Sequence, residues 1–161
     1  MPEAVIVAAA RSPIGRAFKG ALKDTRPDQL GAMMVQAALD KVPELDPTTI
    51  DDVLLGCGMP GGEQGWNMAR VVAVLLGLDN VPGATITRYC SSSVQTTRMA
   101  MHAIRAGEGD VFISAGVECV SRFGIGGSDT PPLTAEDPKG LGPNPYLDVQ
   151  FDNAHTRSVE R

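Results

Sequence analysis

"ATITRYCSSSVQTTRMAMHAIRAGEGDVFISAGVE" spans residues 84–118, and its reading decides the fold. "ATITRY" (84–89) has the β-branched and aromatic content of a strand. Residues 91–106 read as a helix ended by Gly107. "DVFISAGVE" (110–118) reads as a further strand. Strand, helix and strand in succession predict a right-handed parallel crossover in an α/β sheet.

The same alternation extends towards the N-terminus. "AVIVAAA" (4–10) is a continuous apolar run, as expected of a strand covered on both faces. "RSPIGRAFKGALKDTR" follows as a loop broken by Pro13, Gly15 and Gly20. "PDQLGAMMVQAALDKV" (27–42) opens with Pro at a first-turn position, and its helical period puts Leu30, Met33, Met34, Ala37 and Ala38 on one face. Pro43 and Pro47 end it. "DDVLLGC" (51–57) predicts a second strand, followed by the glycine-rich "GMPGGEQG". In "WNMARVVAVLLG", Met68, Val71, Val72, Leu75 and Leu76 recur at helical spacing.

Towards the C-terminus the pattern stops. Residues 124–145 hold five prolines and five glycines, and no periodicity follows them. The expected organisation is an α/β core over 1–122 and the start of an irregular loop region over 123–161, without internal repeats.

Composition narrows the function. A chain of 161 residues can bury one real core, and with aromatics at only 4% that core must be aliphatic. A net charge of −5 argues against binding nucleic acid. No apolar run approaches the roughly 18 residues of a membrane span. "MPEAVIVAAARSPIGR" lacks the basic opening and apolar centre of a signal peptide. Cys57, Cys90 and Cys119 are odd in number and widely spaced, which predicts neither a metal site nor a disulfide framework. A reducing cytoplasm fits best.

Cys90 sits where the strand turns into the helix. That junction displays a side chain at the carboxyl end of the sheet, where α/β folds bind ligands. The helix N-terminus offers unpaired N–H groups and partial positive charge, which favour thiolate over thiol and can hold a developing oxyanion. Ser91, Ser92 and Ser93 suit a capped first turn that a substrate can approach closely. Position alone leaves two readings open, a nucleophile or a thiol packed behind the helix. Cys57 and Cys119 read as inert core thiols.

A catalytic thiol also needs an acid/base partner. His102 lies twelve residues further along the same helix, roughly 18 Å at 1.5 Å per residue, so it cannot serve Cys90. It shares a polar stripe with Gln95, Arg98 and Arg105. His155 falls in the irregular tail. Asp51 and Asp52 read as a charge pair at a strand edge. The glycines at 56, 58, 61, 62 and 65 do not match a nucleotide-phosphate loop.

Four stretches together resemble the thiolases, a family that includes acetyl-CoA acetyltransferases and 3-ketoacyl-CoA thiolases. They are "VIVAAARSPIGRAFKGAL", "GEQGWNMAR", "RYCSSSVQT" and "AIRAGEGDVFISAGVECVS", in the family's order over residues 4 to 122. The resemblance implies the N-terminal half of a layered αβαβα sandwich with a partly parallel, mixed sheet. It implies ping-pong acyl transfer in which Cys90 takes the acyl group from a coenzyme A thioester, with its backbone N–H as a candidate oxyanion donor. Acyl-CoA and coenzyme A enter as substrates, with no permanently bound cofactor. The family also implies a homodimer or homotetramer. Its members are more than twice as long, and their second half carries activating histidines and a second cysteine. The 161-residue chain is therefore expected to be incomplete for catalysis alone. Two other readings remain: a β-ketoacyl synthase-like condensing enzyme, which shares the fold and a similar "CSSS" segment, and a non-catalytic acyl-CoA-binding or assembly subunit.

Overall fold

The computed structural model describes residues 2–123. Three strands form the sheet: β1 (Asp52–Gly56), β2 (Gly83–Ile86) and β3 (Phe112–Gly116). Their order is β2-β1-β3, and both pairings are parallel. The helices are α1 (Pro27–Leu39), α2 (Met68–Leu75), α3 (Ser92–Ala106) and the single turn α4 (Val120–Phe123). The 84–118 crossover is present: α3 leaves edge strand β2, passes over β1 and returns the chain to β3. The mixed sheet expected from the family is not seen here, because the three described strands all run the same way. Among the described residues no helix is long and apolar enough to cross a membrane.

Strand alternation sorts the core into two faces. Val53, Leu55 and Cys57 point to one side and join Val35 and Leu39 of α1 with Met68, Ala69, Val72 and Ala73 of α2. Leu54 and Gly56 face the other side, beneath α3. The helix starts and stops follow local chemistry. Pro27 opens α1, Gly107 closes α3 in the left-handed conformation at φ 77°, and the Ala69 N–H at the start of α2 bonds the Thr85 hydroxyl of β2.

Two expectations need correction. The run 4–10 is not a strand among the described residues, and Val5, Ile6 and Val7 are 69%, 79% and 75% exposed. It pairs with neither edge of the sheet, although Lys41 donates a hydrogen bond to Ala9 O. A continuous apolar run shows that a segment wants cover, not where the cover lies.

The buried face of α1 is also rotated from the expected one. Pro27, Asp28, Gly31, Val35 and Leu39 are buried, while Met33 is 56% exposed. Gly31 brings the helix close to α2, since a Cβ there would lie 3.1 Å from Val72 Cγ2. A buried ion network selects the same face. Arg26 donates to both Asp28 oxygens (3.1 and 2.8 Å) and to Glu63 Oε1 (3.1 Å). Burying that charge requires its partners to be buried with it, and this outweighs the apolar stripe 30/33/34/37/38.

Candidate active site

Two glycines set the height of the site. Gly56 of β1 and Gly116 of β3 are register partners at the carboxyl ends of their strands. A Cβ on Gly56 would lie 2.7 Å from both Ser92 C and Ser93 N, so the first turn of α3 rests directly on the sheet backbone. Further along α3, Thr96 and Thr97 both share hydrogen bonds with Ser114 of β3 (2.9 Å each).

Between β2 and α3 the chain makes a single 3-10 turn, Tyr89–Ser91, with Cys90 at its centre and exposed. Tyr89 has φ 50°, in the left-handed region that costs a bulky residue about 1–2 kcal/mol. Ser92 holds that conformation from below. Its buried hydroxyl accepts from Arg88 N (2.8 Å) and donates to Tyr89 O (2.7 Å). The Ser91 N–H bonds Arg88 O (3.0 Å) and the Ser92 N–H bonds Tyr89 O. The Cys90 N–H has no acceptor among the described residues. The serines therefore divide the work differently from expectation. Ser91 does not cap α3 with its side chain, because its ψ of 9° departs from the extended form a capping residue takes, and Ser92 braces the elbow instead.

The loop after β1 lies next to this elbow. A Cβ on Gly58 would come 3.3 Å from both Tyr89 C and Tyr89 O, and Gly58 O accepts from the Thr87 hydroxyl (3.1 Å). Glu118, just past β3, accepts from Gly58 N (2.7 Å), Met59 N (3.3 Å) and Gln64 Nε2 (2.9 Å). Gln64, only 1% exposed, also donates to Met59 O (2.8 Å) and accepts from Cys119 N (2.8 Å). Glu118 and Gln64 had no role from sequence. Each lies inside one of the thiolase-like stretches, but only the fold brings them together.

The remaining candidates separate from Cys90. Cys57 is buried, as expected of a core thiol. Burial and the neighbouring Glu118 charge push its pKa up to about 12, and its Sγ lies 3.7 Å from Glu118 Oε1. Cys119 is half-buried rather than in the core, since it lies three residues past the end of β3. His102 is exposed on α3, the side on which the sequence put it. His155 lies outside the described residues. Asp51 and Asp52 are not a pair in function. Asp51 Oδ2 accepts from Val111 N (2.9 Å) and Asp110 N (2.7 Å), which fastens the entry to β3 and lowers its pKa. Asp52 has its pKa raised by burial, and its Oδ1 is buried without a partner among the described residues.

Chemically this is an exposed thiol at the carboxyl end of a parallel sheet, at the head of a fifteen-residue helix, beside an N–H that meets no acceptor among the described residues. Residues 4–131 match the family model for the thiolase N-terminal domain. Over 136 residues the chain is 44% identical to a 3-ketoacyl-CoA thiolase of Bacillus subtilis, covering 84% of this chain and 34% of that protein. It is 45% identical over 123 residues to the 3-oxoadipyl-CoA/3-oxo-5,6-dehydrosuberyl-CoA thiolase of Escherichia coli, covering 76% of this chain and 30% of that protein. Among solved structures, the Bacillus anthracis acetyl-CoA acetyltransferase matches with a TM-score of 0.64 and 38% identity, over 70% of this chain and 28% of that chain. The chain thus spans about a third of the length of the curated relatives it matches. By its family match and its fold, it belongs to the thiolase family, of which it carries the N-terminal domain.

Proposed function

We propose that this chain supplies the nucleophile of a thiolase-type acyltransferase acting on coenzyme A thioesters, with Cys90 as the acyl carrier. The observation that carries the reading is the exposed Cys90 at the braced elbow between β2 and α3. The Cys90 thiolate attacks the thioester carbonyl, and the oxyanion forms within reach of the Cys90 N–H. The carbonyl then re-forms, the new S–acyl bond is kept, and coenzyme A leaves as a thiol after taking up a proton. A second substrate, either the carbanion of acetyl-CoA or free coenzyme A, removes the acyl group and regenerates Cys90. His102 lies twelve residues further along α3, roughly 18 Å from this elbow at 1.5 Å per residue, so in this scheme the proton transfers are assigned to other groups. Coenzyme A is a substrate in this scheme, and the chemistry draws on no resident cofactor.

The exposed Tyr89 (76%) and Val94 (73%) flank Cys90 and suit a second copy of the chain, in keeping with a homo-oligomer. The three free thiols suit a reducing cytoplasm. The test is transfer of label from acetyl-labelled acetyl-CoA, followed by digestion and peptide mapping. Label on the Cys90 peptide, lost in Cys90→Ala, supports the acyl-enzyme. Intact coenzyme A binding without label would replace it with the assembly-subunit reading.

A further inference from the structure

We infer that Glu118 is a positioning residue for Cys90, acting through the Gly58–Met59 turn, an inference that rests on Cys90 being the acyl carrier. The path is short and continuous. The Glu118 carboxylate receives two successive backbone N–H groups, Gly58 (2.7 Å) and Met59 (3.3 Å), which fixes the turn. Gln64 fastens the same turn from its far side by donating to both Met59 O and Glu118 Oε1. Gly58 then lies against the Tyr89–Cys90 peptide. An added Cβ there would lie 2.8 Å from Glu118 Oε2 and 3.3 Å from both Tyr89 C and O, so Gly58 fills the space between carboxylate and elbow. Thr87 closes the loop by bonding Gly58 O.

Ser92 braces the left-handed Tyr89 from the helix side, and the Glu118-held turn supports it from the strand side. A strained residue persists only where its surroundings over-determine it. The direction of the Cys90 N–H depends on that peptide, and so does its use as an oxyanion donor. Glu118 touches no reacting atom in this scheme. It acts by holding the turn that holds the elbow.

Glu118→Gln tests this, because an amide NH2 cannot accept from all the donors now converging on the carboxylate. Two readouts on the full chain separate positioning from general structure. The first is acetyl transfer to Cys90 from acetyl-CoA against alkylation of Cys90 by iodoacetamide, which needs no oxyanion donor. Acetyl transfer is expected to fall about tenfold or more, in the range of a disturbed oxyanion donor, with alkylation changed less than about twofold. The second is backbone 15N relaxation. Order parameters at Gly58, Met59, Tyr89 and Cys90 are expected to drop from about 0.85 towards 0.6, with Val53–Leu55 of β1 unchanged. Tyr89 and Cys90 remaining rigid while Gly58 and Met59 loosen would overturn the inference, as would an equal loss of transfer and alkylation. If the wild-type chain takes no acetyl group, the acyl-carrier reading fails, and the relaxation data still decide whether Glu118 orders the elbow. Gly58→Ala is the second variant. It retains the Gly58 and Met59 N–H groups but crowds the Glu118 carboxylate against the Tyr89 peptide, and it is expected to shift the Tyr89 and Cys90 amide resonances; their staying in place would count against the path.

Discussion

At the scale of single residues, burial sets the chemistry. Cys57 and Cys90 are the same side chain in opposite surroundings, one buried with a pKa of about 12 and one exposed at an elbow. Iodoacetamide at pH 8 is therefore expected to label Cys90 in the folded chain and leave Cys57 untouched until denaturant is added. Peptide mapping reads this directly, and labelling of Cys57 in the folded chain would contradict its placement. Asp52 makes a pH-dependent prediction. Burial raises its pKa above the usual 3.8, so the folded state favours the protonated form. Its stabilising contribution is full below the ordinary carboxyl value and is lost as pH rises through the raised one. Asp52→Asn, neutral at every pH, should thus gain on the wild type as pH rises from about 3 to 7. Urea denaturation at both ends checks the sign, and an advantage that stays constant with pH would rule it out.

At the scale of elements, the site depends on how closely α3 sits on the sheet. Gly56 and Gly116 are neighbours in register, but their substitutions should differ. A methyl on Gly56 meets backbone atoms of Ser92 and Ser93, which move only with the helix. A methyl on Gly116 meets mainly the Ser93 side chain, which has a rotamer to turn into. Gly56→Ala is expected to cost about 1–3 kcal/mol, as overpacking does, and to reduce acetyl transfer to Cys90 by displacing the elbow. Gly116→Ala should cost clearly less. Thermal melts of both variants measure the order, and equal losses would show that α3 yields as readily as a serine rotamer.

At the scale of the whole molecule, the described residues form a three-stranded sheet with both outer edges open and an apolar N-terminal segment left uncovered. Such a surface is expected to associate with a second copy. Ile6→Lys should weaken concentration-dependent association in light scattering. It should alter stability by no more than about 0.5 kcal/mol, because Ile6 is 79% exposed. A large fall in melting temperature would mean that the segment is packed after all.

The division between chain and fold runs through particular residues. The elements of the 84–118 crossover were legible because helix and strand periods, Gly107 and the prolines act over a few neighbours. The placement of Cys90 and the remoteness of His102 were legible for the same reason, since a helix converts sequence distance into length. The buried face of α1 was not, because the Arg26–Glu63 salt bridge and the close approach of Gly31 to Val72 select it, and those partners lie 37 or more residues away. Nor was the cover of residues 4–10, which a continuous apolar run does not address. The Glu118–Gln64–Gly58 cluster spans 60 positions and is joined only when β1 and β3 pair in register. Local periodicity therefore wrote the elements and the position of Cys90 into the sequence, whereas the turn packed against Cys90 is held only because parallel pairing brings distant polar groups to one end of the sheet, where the buried Gln64 must find partners on leaving water.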